Sequence, residues 1–320
     1  MNDWYSACAE AAQQIRDSIP DYYRSRSFPG ILGDIKALPP KKALSLFTRK
    51  KGLGKQYAYL YLTSGIDNGM GYQACAAEAL KYTHGTGIIH GNLLDVGCAV
   101  GVTAGVFGIE KATGFDLFPD LLKAAKLTDA ITGAHHHYTV ADMTQPWPFQ
   151  CRFDTVFCGL VCHHLKNQSD IRTFFNNANR VMDSGGTLVI TLPSGAIATV
   201  SQLTQLSDAL ECFGFRIESR LTGMVVSTDS PVSLFWMFVI IARKISDKTG
   251  YDFVHPGFGF QDFRTPVTRE EKGAKARVTA TKKRQVKHAQ FSMITIQDMK
   301  EKCSEAPLVY DTIHRCFQQH

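Results

Sequence analysis

The residues with the clearest chemical promise are Asp95, Gly97 and Gly101, in the run Leu93-Leu94-Asp95-Val96-Gly97-Cys98-Ala99-Val100-Gly101. Three apolar residues interrupted by one carboxylate read as a buried strand, and the glycines after them as a tight turn that opens a helix. Backbone can approach a ligand closely at such a turn, because side chains are nearly absent there. A nucleotide-like cofactor is the expectation. Asp116 ends Gly114-Phe115-Asp116-Leu117, nineteen residues after Gly97, and a carboxylate can accept hydrogen bonds from both hydroxyls of a sugar diol. Asp142-Met143 follows the next expected strand.

A second group lies in Leu160-Val161-Cys162-His163-His164-Leu165. Either histidine has the near-neutral pKa that suits a general base. Neighbouring side chains point differently on any regular backbone, so at most one should face a pocket. Cys158, Cys162, His163 and His164 lack paired C-x-x-C spacing, and no metal site is expected. The tract His135-His136-His137 reads as a solvated loop ahead of a strand.

The elements that must position these residues alternate. Leu93–Val96, Ala112–Phe118, His137–Ala141, Asp154–Gly159 and Thr187–Leu192 read as strands. Helices fill the intervals, one running through Phe107 and another over Pro119–Leu127 with proline near its start. A third carries Ile171, Phe174, Phe175, Ala178, Val181 and Met182 on one face, with Ser169 as its expected N-cap and Gly185 as its end. A fourth is marked by Val200, Leu203, Leu206, Leu210 and Phe213 and stops at Gly214. The runs Phe215–Val226 and Ser233–Lys244 are joined too tightly for a crossover helix and should pair antiparallel. The pattern predicts an α/β, doubly wound, mostly parallel seven-stranded sheet whose last strand is reversed at one edge.

Outside this core, Asp3–Asp17 has helical spacing. Pro20, Pro29, Gly30, Gly33, Pro39, Pro40, Gly52 and Gly54 are expected to forbid long regular elements over 20–56. Tyr57, Tyr59 and Tyr61 form an aromatic stripe, expected to pack on the core as a strand face or helix side, and Tyr72–Tyr82 reads as a helix. Beyond Ile245 the periodicity fades. Arg264–Lys287 holds nine Lys/Arg against Glu270 and Glu271 and reads as a flexible arm, with a short helix after it over Ser292–Cys303.

Of the 35 basic and 29 acidic residues, 11 and 7 fall in 1–90, 11 and 13 in 91–244, and 13 and 9 in 245–320, so basic flanks surround a slightly acidic centre. Such segregation suits an anionic partner or a solvated tail. Nine scattered cysteines argue for reduced, buried thiols over a disulfide framework. The longest apolar run, Val232–Ala242, is about half of what a membrane span needs. The first residues lack a secretory pattern, so a cytoplasmic address with no membrane partner is expected.

Residues 91–244 resemble a class I S-adenosylmethionine-dependent methyltransferase, particularly its small-molecule members. Asp95 to Gly101 resembles the family's glycine-rich first motif, and Asp116 its ribose-binding acid. Asp142-Met143 resembles the pair along the adenine, Phe153–Gly159 the fourth motif, and Val181–Ile190 the helix, glycine turn and fifth strand. The resemblance implies S-adenosyl-L-methionine as cofactor, held by Asp95, Gly97, Cys98, Ala99, Gly101, Asp116, Leu117, Asp142, Met143 and Cys158, with His163 and His164 as catalytic candidates. Ala99 departs from the central glycine of the family motif. A dinucleotide site would need a third glycine where Val102 stands, and its branched side chain would obstruct the pyrophosphate.

The fourth motif lacks the Asp/Asn-Pro-Pro-aromatic run expected for base amino groups, and the Pro-Cys expected for cytosine carbon. The implied activity is methyl transfer to an O or N atom of a small polar acceptor, beneath a lid built by residues 1–90. RNA methylation is the alternative, with Lys41, Lys42, Arg49, Lys50, Lys51, Lys282, Lys283 and Arg284 holding phosphates. A catalytically silent scaffold is the third reading. Residues 1–90, 91–244 and 245–320 are the expected divisions, and the oligomeric state is left open.

Overall fold

The computed structural model describes residues 4–26, 31, 38, 40–50, 52–63, 69–165, 167–193, 206, 208–226 and 234–248. The expected basic arm, the short helix over Ser292–Cys303, Val200, Leu203, Lys51, Lys282, Lys283 and Arg284 lie outside them.

The alternation produces strands β1 (Leu93–Val96), β2 (Ala112–Asp116), β3 (His137–Val140), β4 (Phe153–Gly159), β5 (Met182–Pro193), β6 (Phe215–Val226) and β7 (Leu234–Lys244). They form one seven-stranded sheet in the order β3-β2-β1-β4-β5-β7-β6. The pairs from β3 to β5 are parallel, and β7 runs antiparallel to both β5 and β6. The reversed strand is therefore internal, and β6 takes the edge. Residues 208–212 are helical, so the chain leaving β5 crosses over and lays β6 parallel to β5 one strand-width away. β7 then returns into the gap and satisfies backbone groups on both sides.

The helices of the described residues are α1 (Trp4–Asp17), α2 (Asp21–Arg24), α3 (Pro40–Arg49), α4 (Leu53–Thr63), α5 (Gly69–His84), α6 (Val102–Phe107), α7 (Pro119–Thr132) and α8 (Gln168–Val181), besides the helical turn at 208–212. One sheet face packs Leu94, Val156, Cys158, Leu188 and Ile190 against Phe174 and Phe175 of α8 and against Leu210 and Phe213. The other buries Leu93, Phe157 and Val189 with the N-terminal layer, including Cys8, Phe47, Tyr57, Tyr61 and Leu80.

Local chemistry moves several boundaries. Pro40 opens α3, since a first helical position needs no N–H and its fixed φ suits the helix, so the breakers over 20–56 instead frame two helices of 10 and 11 residues. Tyr57, Tyr59 and Tyr61 lie on the second of these, α4. Asn167, not Ser169, caps α8, its side chain accepting from the Asp170 N–H at 2.9 Å. That helix ends at Val181, and Gly185 sits inside β5 at φ 77°. Among the described residues no helix is long and apolar enough to cross a membrane.

Candidate active site

The turn after β1 is held by its neighbours. Gly97 N and Cys98 N both donate to Phe115 O of β2, at 2.8 and 3.1 Å, and Gly101 N closes the turn on Cys98 O at 2.8 Å. Gly97 and Gly101 take φ of 71° and 76°, and Ala99 takes 47°, a left-handed conformation strained for alanine. Asp116 secures it: Oδ2 accepts from Ala99 N at 3.1 Å and Oδ1 from Phe118 N at 2.9 Å. Each oxygen keeps a further lone pair for a diol. Burial pushes Asp116 up to about 6, against the downward pull of these N–H groups.

The short helix α6 that the turn opens is pinned from the N-terminal layer. Lys81 Nζ of α5 donates to Val106 O at 2.7 Å, satisfying a carbonyl at the end of α6. Trp4 of α1 lies against Gly105, where any Cβ would overlap its indole.

Asp95 is 3% exposed, and its Oδ2 has no hydrogen-bond partner. Burial raises its pKa to about 7, while the Thr103 hydroxyl hydrogen-bonded to it pulls the other way. A buried unpaired carboxylate oxygen is costly, and this one opens on a narrow pocket lined also by Gln73, Gly97, Cys98, Leu160 and Thr191. On the adjoining strand end, Asp142 Oδ1 accepts from Thr144 N at 2.9 Å and Thr144 Oγ1 at 2.7 Å. Ala141 N donates to Asp116 O at 3.1 Å and ties the two carboxylate-bearing loops together. Beside them, Phe47 of α3 packs its ring against both Tyr57 and Phe118, with ring centroids at 5.3 and 5.2 Å. The Tyr57 and Tyr61 phenols are held neutral by burial, with the Asp116 charge adding to it.

The structure thus brings Asp95, Gly97, Cys98, Ala99, Gly101, Asp116, Leu117, Asp142 and Met143 to the carboxyl ends of β1, β2 and β3. Cys158 is turned away. On β4 it is Phe157 and Gly159 that reach the pocket, and Cys158 packs toward α8 with Cys162 Sγ at 3.1 Å. His163 and His164 occupy a single 3-10 turn, their rings tilted by 40° with centroids 4.0 Å apart, His163 half-buried and His164 exposed. Neither lines the pocket.

Of the tract expected to be solvated, His135 and His137 are exposed, but His136 is enclosed, because Asp129 lies 3.0 Å from one ring nitrogen and Ile109 O 2.7 Å from the other. Gln73, Thr103 and Thr191 escape sequence reasoning. They come from α5, α6 and β5, and none belongs to a local motif.

Residues 94–190 match the methyltransferase domain family. This segment is a methyltransferase domain. The domain is also similar to solved structures. A protein of echinomycin biosynthesis, where a disulfide bond is converted into a thioacetal group, is 22% identical, with 55% of this chain and 84% of that one covered at TM-score 0.43. A candidate RNA methyltransferase from Pyrococcus horikoshii is 17% identical over 55% and 86%, at 0.42. The N-methyltransferase NodS of Bradyrhizobium japonicum, solved with S-adenosylhomocysteine, is 17% identical over 56% and 90%, at 0.41. No curated protein matches the chain. The methyltransferase domain holds the carboxylates at Asp95, Asp116 and Asp142, and residues 4–84 supply helices packed on it.

Proposed function

We propose that this methyltransferase takes S-adenosylmethionine as donor and methylates an O or N atom of a small polar acceptor. The observation that carries the reading is the orphaned, buried Oδ2 of Asp95 beside the glycine turn. It fits the ammonium of the donor's methionine end, which would relieve the cost of leaving that oxygen unpaired. Asp116 fits the ribose hydroxyls and Asp142 the adenine amine, with Leu117 and Met143 on the apolar faces and Cys98 and Ala99 in the turn backbone. The bound donor supplies a methyl group already activated on a sulfonium. What remains for the chain is to orient an acceptor and take up its proton. His163 is the better placed of the two histidines for that proton, being half-buried where His164 is exposed.

Calorimetric titration with S-adenosylhomocysteine tests this. Wild type should bind, and Asp116→Ala should lose at least about tenfold, since one carboxylate serves both the ligand and the Ala99 amide. No binding by wild type at millimolar ligand would remove the donor reading. His163→Ala should lower turnover and leave donor affinity unchanged.

RNA is a second acceptor reading, favoured by α3. Its inner residues Ala43 and Phe47 are buried, while Lys41, Lys42, Arg49 and Lys50 are exposed along or just after it. Among the described residues none of these four cations has an ion-pair partner. Phosphates would fit them.

A further inference from the structure

Only two non-glycine residues among those described have positive φ, Ala99 at 47° and Leu160 at 57°. Each comes just after one of the two central strands, β1 and β4; Leu160 lines the pocket, and Ala99 directly follows Gly97 and Cys98, which line it too. Strain of this kind persists only where the surroundings enforce it, and it concentrates at functional sites. The two are held alike, by a side-chain oxygen from the next strand outward. Asp116 of β2 accepts from Ala99 N. On the other side, Thr191 of β5 accepts from Leu160 N twice, through its carbonyl at 3.0 Å and its Oγ1 at 3.1 Å.

The residues just after Leu160 give the clamp its purpose. Val161 lies directly over Gly97, where a Cβ would come within 2.6 Å of Val161 Cγ2. The turn carrying His163 hangs from the same residues, with His164 N donating to Val161 O at 2.9 Å and Leu165 N to Cys162 O at 3.0 Å. Thr191 is itself fully buried and lines the pocket. Leu160 is nearly buried too, so the clamp is shielded from competing water.

We propose that Thr191 is a positioning residue for methyl transfer: its hydroxyl fixes Leu160 in the left-handed conformation, and so sets Val161 against the donor turn and fixes the start of the histidine turn that follows. The inference rests on the donor reading above. Without the hydroxyl, Leu160 N keeps the Thr191 carbonyl, so the fold survives while the loop relaxes toward negative φ and Val161 leaves Gly97.

The test is calorimetric titration of the full chain with S-adenosylhomocysteine, paired with thermal melting. Thr191→Val, which keeps shape and removes the hydroxyl, should weaken binding roughly three- to tenfold, the span of one net hydrogen bond, with Tm near wild type. Thr191→Ser should restore wild-type affinity. Wild-type affinity in Thr191→Val overturns the proposal, and so does equal weakening in the valine and serine variants. A double-mutant cycle supplies the readout that a merely structural role would not move. Glycine adopts positive φ without strain, so in a Leu160→Gly background the Thr191→Val change should cost nothing further. An equal loss in both backgrounds overturns the proposal. Failure of wild type itself to bind would mark the donor reading as the fault, whereas binding by wild type with no coupling would mark this inference alone.

Discussion

Donor binding as proposed would ask of Asp95 the opposite of what the empty fold asks, and pH separates the two. Its carboxyl is pushed up to about 7 by burial, well above the ordinary 3.8. A folded pKa above the unfolded one means that neutral Asp95 stabilises the empty protein fully below about pH 4, and that this contribution is lost as pH rises through about 7. Pairing with an ammonium needs the ionised form, so ligand binding should strengthen over the range in which the empty fold weakens. The rise in Tm caused by S-adenosylhomocysteine is expected to be larger at about pH 8 than at about pH 6. Asp95→Asn should flatten that dependence, and an unchanged dependence in the variant would assign it to another group.

His136 makes a companion case: burial alone would lower its pKa, but hydrogen bonds to Asp129 and Ile109 O and the charges of Asp129 and Asp95 raise it overall. Its stabilisation is present below the ordinary 6.5 and is lost as pH rises through the raised value. His136→Gln should therefore remove part of the fall in Tm on moving from about pH 6 to about pH 9. Asp95, Gly97 and Asp116 are legible in the sequence because strand, turn and helix come one after another along the chain. His136 is not, because its partner Asp129 sits seven residues away on α7 and only the fold encloses the pair.

At the scale of elements, a single lysine ties the end of α8 to the end of β7. Lys244 is 2% exposed, and its Nζ donates to Asn179 O at 2.7 Å and Met182 O at 2.9 Å while pairing with exposed Asp247 at 2.6 Å. Those carbonyls lie at the end of the helix and are shared with other donors: Asn179 O also accepts from Met182 N–H, and Met182 O from Arg152 Nη1 at 2.8 Å. Asn179 Nδ2 reinforces the junction through Phe213 O at 2.7 Å and Ser246 O at 2.8 Å. Lys244→Met keeps the buried stem and removes the donors, so it should cost about 2 kcal/mol, read by urea unfolding. A cost under about 0.5 kcal/mol would mean that the Met182 N–H, Arg152 and water already serve these carbonyls.

The same elements show where sequence patterning runs out. Periodicity locates every strand of the sheet, because burial is written residue by residue. It cannot order β6 and β7, since antiparallel pairing of two neighbours is satisfied whether the reversed strand lies at the edge or one place in. Pro39-Pro40 reads as a break because composition does not distinguish a proline that ends a helix from one that starts it. Thr191 gives no signal at all, as its contact with Leu160 spans 31 positions.

At the scale of the whole molecule, charge and chemistry are separated. The carboxylates that would hold the donor belong to the sheet ends, while the cations of α3 lie in the N-terminal layer, joined to the site through Phe47 and Phe118. The two functions can therefore be tested apart. A variant carrying Lys41→Glu, Lys42→Glu, Arg49→Glu and Lys50→Glu should bind S-adenosylhomocysteine as wild type does, because these side chains are exposed and none lines the pocket. If α3 holds RNA phosphates, wild type should bind a single-stranded oligonucleotide with log K falling against log salt at a slope of about −3, the value for four neutralised phosphates on a single strand. The reversed-charge chain should then lose the interaction altogether. A wild type that ignores the oligonucleotide at about 50 mM salt, where such contacts are strong, would leave the small acceptor as the substrate class. Because donor affinity is measured in parallel, a misfolded variant would reveal itself by losing both ligands together.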